Sequence, residues 1–153
     1  MMSDIKDLLS EMLSAAGFTY TKIVVAEEES GAIRANIESD EAAFLIGMHG
    51  ERVNAIQYLL KSILWSRTGE KIFVIVDVDG YKYQREMKFI AMADEKIEGA
   101  IATNYQQSMP PLEPYMRKII HMHILKTAEG RVTTESEGEG TARRVIIKPI
   151  ESV

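Results

Sequence analysis

The sequence predicts an α+β protein built from two small modules that a long helix connects. Three observations support this fold class. Segments with apolar residues at helical spacing alternate with short segments rich in β-branched residues. The string Met109-Pro110-Pro111 ends a long helical segment and marks a module boundary, because proline interrupts helices. A chain of 153 residues, 46% of them hydrophobic and 27% charged, is long enough for two small cores.

The first module, residues 1–80, is predicted to begin with a helix and a hairpin. The helix should start with Ser3 as its N-cap, and its inner face is formed by Ile5, Leu8, Leu9, Met12, Leu13 and Ala16. Residues 18–26 are rich in β-branched side chains and predict a strand. Residues 32–38 alternate apolar and polar side chains, which is typical of a half-buried second strand.

The rest of the first module predicts two helices and a third strand. Ser39 or Asp40 can cap a short helix that ends at Ile46. Residues 51–68 then form a longer helix whose apolar stripe consists of Val53, Ile56, Leu60, Ile63 and Leu64. Residues 71–79 form the clearest strand of the chain, because β-branched residues dominate this segment.

The second module follows a predicted connecting helix over residues 81–105, which carries polar side chains on most of its faces. The module itself, residues 106–153, is predicted to contain a helix over 112–127. A strand that starts at 131–134 and a returning strand over 142–150 then form a hairpin.

An acidic, glycine-rich segment, Glu135–Gly140, separates the strands of this hairpin and is predicted to be a loop. Its spacing does not match that of a calcium-binding loop. We therefore expect a structural role, in which the carboxylates pair with Arg143 and Arg144 or repel nucleic acid from the wrong face.

A GxxG motif, Gly47-Met48-His49-Gly50, lies between the two later helices of the first module. Glycines allow another chain to approach the backbone closely, and the next helix offers N–H groups to phosphate. A tight joint between two helices is the structural alternative. The order helix–strand–strand–helix–GxxG–helix–strand resembles that of a type II KH domain, and the resemblance covers about residues 3–79.

The KH resemblance implies that the loop binds the backbone of single-stranded nucleic acid. The residues that it assigns to this contact are Gly47, Met48, His49 and Gly50. Arg52, Arg34 and Lys61 are expected either to add positive charge beside the loop or simply to keep the surface soluble. KH loops usually carry Lys or Arg between the glycines, whereas this loop carries Met48 and His49. Its attraction for phosphate is therefore expected to be weaker, since histidine is mostly neutral near pH 7.

The second motif is an Arg-x-x-x-His string in the second module, with Arg117 and His121 at its ends and Lys118 inside it. Residues four positions apart on a helix share a face. A guanidinium beside an imidazole suits a phosphate group or a stacked base. The structural alternative is an exposed ion pair between Glu113 and Arg117, which are also four positions apart.

The surroundings of both motifs closely resemble the bacterial Jag family of SpoIIIJ-associated proteins, in which a KH domain precedes a single-strand-binding Arg-x3-His (R-3-H) domain. The resemblance spans roughly residues 40–150, and its matching strings are Leu45–Gly50, Gln57-Tyr58-Leu59, Glu113–His121, Arg131–Gly140 and Arg143–Ile147. It implies a cytoplasmic bacterial protein that binds RNA through Arg117, Lys118 and His121. The family resemblance also implies a regulator, which acts either after transcription or in connection with the cell envelope or sporulation.

Members of that family often carry a further N-terminal domain, so this chain is expected to be a short form or a fragment. The family also implies further candidate partners beside single-stranded RNA. These are single-stranded DNA, another KH-domain protein and a second copy of the chain. Direct insertion into a membrane is not expected, because no apolar run approaches the roughly 18 residues of a membrane span.

Composition and motifs argue against an enzyme, a metal site and a cofactor. The chain has no cysteine, no Gly-Lys-Thr phosphate loop and no nucleophile elbow. His121 and His123 are two positions apart on a helix, so their side chains point about 200° apart.

The net charge of −5 argues against a protein that coats nucleic acid by bulk attraction. The alternative function is therefore a protein-interaction adaptor with little affinity for RNA. Such an adaptor would dock another KH protein or the membrane-insertion machinery.

Overall fold

The computed structural model describes residues 1–150, and it divides the chain into two compact units, Met1–Tyr83 and Gln84–Val153. Both units mix helices with a small sheet, which confirms the α+β class. The last three residues of the predicted second module, 151–153, lie outside the described residues. No helix within residues 1–150 combines the length and the hydropathy that a membrane crossing requires.

The first unit follows the element order that the sequence predicts. Its helices and strands are α1 (Met2–Ala15), β1 (Lys22–Glu27), β2 (Ile33–Glu38), α2 (Ala42–Ile46), α3 (Glu51–Thr68) and β3 (Val74–Val78), with a 3-10 turn over Met48–Gly50. The sheet has the order β1-β2-β3. Strand β1 pairs with β2 in antiparallel fashion, and β3 pairs with β2 in parallel, so that Ile37 lies opposite both Ile23 and Val78.

One hydrophobic core joins the helices of the first unit to its sheet. Helices α1 and α3 contribute Ile5, Leu9, Leu13, Val53, Leu60 and Leu64, and the sheet contributes Ile23, Ala35, Ile37, Val74, Val76 and Val78. The alternation along β2 and β3 places these strand residues on a single face. The apolar stripes of the two helices therefore cover that face.

Several element ends differ from the prediction for local reasons. Helix α1 begins at Met2 rather than after Ser3, and the α-amino group of Met1 lies 3.3 Å from the Asp4 carboxylate. Strand β1 begins at Lys22 rather than at residue 18. The segment before it is held by side chains instead, because Phe18 packs against the Phe44 ring at 5.6 Å and the Tyr20 hydroxyl is hydrogen-bonded to Ser10.

The end of β3 is joined to the next helix, α4 (Tyr81–Thr103), by a buried carboxylate. Asp77 accepts hydrogen bonds from the backbone N–H groups of Lys82 at 2.8 Å and Tyr83 at 3.0 Å. Arg34 of β2 pairs with the same carboxylate at 3.1 Å. Asp77 therefore caps the first turn of α4 from a strand, as a local N-cap residue would do.

The second unit contains most of α4 and a second small sheet. Its other elements are β4 (Gln107–Ser108), α5 (Pro114–Thr127), β5 (Val132–Glu137) and β6 (Arg144–Pro149), with a 3-10 turn over Gly140–Ala142. The sheet has the order β4-β6-β5, and both pairs are antiparallel. The two-residue strand β4 is absent from the sequence prediction, because so short a segment carries no periodic signal.

Helix α4 belongs to the core of the second unit, whereas the sequence pattern indicates a polar connector. Its small residues Ala93 and Ala100 are fully buried together with Ile97. They pack with apolar residues of α5, of β6 and of the segment after β4, namely Met109, Met116, Ile120, Ile124, Val145 and Ile147. Alanine carries little weight in a periodicity count, and this explains why the inner face of α4 is hard to recognise from sequence.

The acidic segment of the second unit is partly strand rather than loop. Strand β5 continues through Glu137, so that Glu135 and Glu137 alternate with Thr134 and Ser136 across its two faces. The Glu135 carboxylate lies 2.7 Å from the ammonium of Lys148, which was not among the expected partners. Arg143 donates to the backbone carbonyl of Gly138 at 2.8 Å, and Arg144 lies opposite Glu137 in the ladder.

Candidate nucleic-acid interface

The GxxG loop of the first unit depends on both glycines. Gly47 has a φ of 75° and Gly50 a φ of 79°, in the left-handed region that disfavours side chains. A Cβ atom built on Gly47 would lie 2.9 Å from the Cβ of Arg52, which is too close. His49 between them also has a positive φ, of 55°, and this is uncommon for a residue with a side chain.

The side chains of this loop offer little positive charge to a ligand. Met48 is 73% exposed and His49 is exposed beside it. The Arg52 guanidinium donates to the Phe44 carbonyl and lies 4.5 Å from the centroid of the Phe44 ring. Arg52 therefore fastens α3 to α2, and the exposed side chains between the two glycines are those of Met48 and His49.

The Arg-x-x-x-His motif lies on α5 of the second unit, whose first residue is Pro114. Arg117 is half-buried and donates through Nη1 to the Leu112 carbonyl at 2.8 Å, while Lys118 is exposed next to it. Glu113 pairs with Arg85 of α4 rather than with Arg117, the partner that the helical spacing suggests. Arg85 engages both Glu113 carboxylate oxygens, with its Nη2 at 3.0 Å.

His121 is held through both nitrogens of its ring. Its Nδ1 lies 2.7 Å from the Thr134 hydroxyl and its Nε2 lies 3.0 Å from the Ser136 hydroxyl, both on β5. Burial of the ring lowers the pKa of His121 from its ordinary value, and the positive charge of Arg117 lowers this pKa further. The imidazole is therefore neutral near pH 7.

Thr134 and Ser136 contact His121, and the sequence interpretation does not include them among the candidate site residues. They lie within the stretch that it assigns to the end of one strand and an acidic loop. The available signal is a period of two over Val132, Thr134 and Ser136, which places all three on the face of β5 toward α5. This pattern can be recognised only if the predicted strand is taken to include Glu135 and Glu137.

The other histidine of α5 serves a different contact. His123 Nε2 lies 2.7 Å from the Asp94 carboxylate of α4, so it does not join His121. Within the described part of the chain, no three His, Asp or Glu side chains approach each other as metal ligands would.

Comparisons with known proteins concern both units. The family model of the R-3-H domain matches residues 87–149, which include Arg117, Lys118, His121 and the two hydroxyl residues of β5. A protein of Clostridium symbiosum named RNA-binding protein KhpB is 26% identical over 141 residues, covering 92% of this chain and 63% of that protein.

Two further relatives carry the same name. The KhpB protein of Bacillus subtilis is 29% identical over 124 residues, covering 81% of this chain and 60% of the relative. The KhpB protein of Lactiplantibacillus plantarum is 30% identical over 112 residues, covering 73% of this chain and 34% of the relative. The chain thus spans between about a third and two thirds of the length of these relatives. Residues 87–149 of its second unit are thus similar to R-3-H domains, and the chain as a whole is similar to proteins named KhpB.

Proposed function

We propose that the protein binds single-stranded RNA through the α5 face of its second unit, at a site formed by Arg117, Lys118 and His121. The observation that carries the proposal is the position of Arg117 and His121 on one helix face inside the segment that matches the R-3-H domain. The relatives are named RNA-binding proteins, which supports RNA as the ligand. No catalytic role is part of this proposal.

The chemistry of Arg117 suits a phosphate of the RNA backbone. A guanidinium has five N–H donors, and its hydrogen bond to Leu112 holds the group in place while using one of them. The remaining donors can meet phosphate oxygens in a bidentate arrangement. Lys118, an exposed residue, adds a second positive charge next to it.

We also assign the first unit as a type II KH domain, with a boundary near residue 83 and the second domain beginning within α4. The support is the order α-β-β-α-GxxG-α-β together with one parallel and one antiparallel strand pair. Its loop would grip the strand through backbone N–H groups. Because Arg52 is engaged with Phe44, we expect this unit to contribute less affinity than α5 does.

A second candidate function is protein docking at the first unit. The observation that favours it is the apolar surface beside the loop, where Phe44 is 53% and Met48 is 73% exposed. Another KH-domain protein or a second copy of the chain would cover such side chains, and the acidic balance of the chain would not oppose this contact.

Fluorescence anisotropy with matched single-stranded and duplex RNA tests the proposal. We expect tighter binding to the single strand, because splayed bases and an accessible backbone suit a helix face. Arg117→Ala should weaken binding, whereas Lys88→Ala, which removes one exposed charge from α4, should not. Equal affinity for both RNA forms, or equal effects of the two variants, would contradict the proposal. Failure of the wild-type chain to bind either RNA would favour the docking function.

A further inference from the structure

The imidazole of His121 uses both of its nitrogens within the protein. Thr134 Oγ1 lies 2.7 Å from Nδ1 and Ser136 Oγ lies 3.0 Å from Nε2. A phosphate could reach the ring only by displacing one of these hydroxyl groups. Direct contact between His121 and RNA would therefore cost a hydrogen bond that already exists.

The protons of this cluster can be counted. In a neutral imidazole one nitrogen donates and the other accepts, so one hydroxyl accepts from the ring and the other donates to it. The hydroxyl that accepts from the ring keeps its own proton free to point away from the ring. The hydroxyl that donates to the ring uses its proton in that bond. The neutral cluster thus offers one outward O–H donor.

Protonation of the ring changes this count. Both nitrogens of the imidazolium donate, so both hydroxyls accept from the ring and both hydroxyl protons turn outward. The protonated cluster therefore offers two O–H donors and a positive charge. An oxyanion accepts hydrogen bonds and favours such a site on both grounds.

We propose that Thr134 and Ser136 make the direct hydrogen bonds to a backbone phosphate of the bound RNA, and that His121 is a positioning residue that sets how many hydroxyl protons they present. This inference rests on the proposed function, because it names the phosphate contacts of the same site. Arg117, one helical turn before His121, completes the cluster. A bound phosphate offsets the charge of Arg117 and thereby favours the protonated ring.

The charges around His121 are consistent with this coupling. Arg117 lies on the same helix and acts on the ring. The face of β5 toward the ring carries Val132, Thr134 and Ser136 and no carboxylate. Glu135 and Glu137 lie on the opposite face of the strand, where Glu135 pairs with Lys148 of β6. On α4, Asp94 is engaged by His123. The pH dependence of phosphate binding should therefore follow His121.

The inference is tested with the full chain and a fluorescein-labelled oligouridylate at pH 8.0 and pH 6.0. We compare Thr134→Val, Ser136→Ala and the double variant with Thr133→Val, which removes an exposed hydroxyl from the other face of β5. Each single change should reduce affinity by about tenfold or more at pH 6.0, as expected for a hydrogen bond to a charged group. Thr133→Val should leave the affinity unchanged.

The pH dependence separates a positioning role from a structural one. Wild-type affinity should increase from pH 8.0 to pH 6.0. The double variant should lose most of this increase, while its His121 should still titrate when followed by NMR. Thr134→Ser keeps the hydroxyl and should restore binding. The measurements are made in a His49→Gln background, so that the loop histidine of the first unit does not contribute.

Two results would overturn the inference. One is wild-type affinity in both single variants at pH 6.0, and the other is an unchanged pH dependence in the double variant. If the wild-type chain binds the oligouridylate and Arg117→Ala weakens it while the hydroxyl variants do not, only this inference fails. If the wild-type chain does not bind, the proposed function fails as well.

Discussion

At the scale of single residues, Arg117 and His121 share a helix face but differ in charge. The guanidinium is positive at every accessible pH. The imidazole is neutral near pH 7, since burial and the neighbouring Arg117 lower the pKa of His121. The two side chains should therefore contribute unequally to the binding of an anionic ligand.

We predict that Arg117→Ala weakens RNA binding at pH 7.5 more than His121→Ala does. The first change removes a charge-assisted contact worth about 1.5–3 kcal/mol, which corresponds to a loss of about tenfold or more. The second removes a neutral ring and should cost about threefold. Anisotropy titration measures both dissociation constants. A larger loss in His121→Ala would contradict the order of the two effects.

A second prediction concerns stability and pH. The pKa of His121 is lower in the folded chain than its unfolded value of about 6.5, so the unfolded chain binds more protons as the pH falls through this value. His121 therefore destabilises the second unit on acidification, from about pH 7 down to its folded pKa. His121→Gln, which does not titrate, should lose less stability than wild type between pH 7.5 and pH 5.5.

The readout for this prediction must come from the second unit. The single tryptophan, Trp65, lies in α3 of the first unit and does not report on it. Amide signals of Val145 and Ile147, which are fully buried on β6, can be followed by NMR during urea titration. His49→Gln serves as a control, because His49 is exposed in the other unit. Equal acid sensitivity of wild type and His121→Gln would show that the ring does not supply this dependence.

The residue scale also shows what a sequence can and cannot predict. The four-residue spacing of Arg117 and His121 is visible in the sequence and survives in the structure. The partner of Glu113 is not visible, because Arg85 is 28 positions away and meets it only after α4 and α5 pack together. The two hydroxyl groups that contact His121 could not be predicted either, because the sequence interpretation ends the strand β5 at residue 134 and places Ser136 in a loop.

At the scale of elements, the GxxG loop is the segment whose backbone is most constrained by its glycines. We predict that Gly47→Ala destabilises the first unit by at least about 1 kcal/mol more than Gly31→Ala does. Both glycines have a positive φ, but a Cβ at Gly47 would meet Arg52 at 2.9 Å, whereas a Cβ at Gly31 would meet nothing within 4 Å. Urea unfolding monitored by Trp65 fluorescence measures the difference. Equal losses would mean that the loop relaxes around the added methyl group.

The charge of the same loop can be tested without strain at a glycine. Met48→Lys places an ammonium where KH loops usually carry a basic residue, at a position that is 73% exposed. We predict an increase in RNA affinity of about twofold to fivefold, because one more phosphate can be neutralised. Ala26→Lys adds the same charge to an exposed position of β1 and should have a smaller effect. If the two variants behave alike, the loop does not contact RNA and the docking function gains support.

Element types were easier to predict than element ends. Periodic segments such as α3 and β3 carry strong patterns, and their presence follows from the sequence. The ends depend on tertiary contacts. Phe18 and Tyr20, for example, contact Phe44 and Ser10, and β1 begins only after them, at Lys22. The inner face of α4 depends on Ala93 and Ala100, whose small side chains matter only because the second core packs against them.

At the scale of the whole molecule, the charge of −5 must be reconciled with an anionic ligand. A protein with this balance repels RNA at long range, so binding must depend on a few local contacts. The basic residues proposed for the interface are Arg117 and Lys118 in the second unit, while Arg52 in the first is held by Phe44. This arrangement predicts a weak electrostatic component, and the salt dependence of binding measures it directly.

We predict that the logarithm of the association constant falls with the logarithm of the salt concentration with a slope of roughly −1.5 to −3. This slope corresponds to about two to four phosphates neutralised on a single strand, each contributing about −0.7. Arg117→Ala should make the slope shallower by about 0.7, because one counterion fewer is released, whereas Lys88→Ala should leave it unchanged. Titrations at several salt concentrations and constant pH 7.5 give the slopes. A wild-type slope near −6 would reveal a large basic surface that neither unit is proposed to have. If Arg117→Ala leaves the slope unchanged, the Arg117 guanidinium does not contact phosphate.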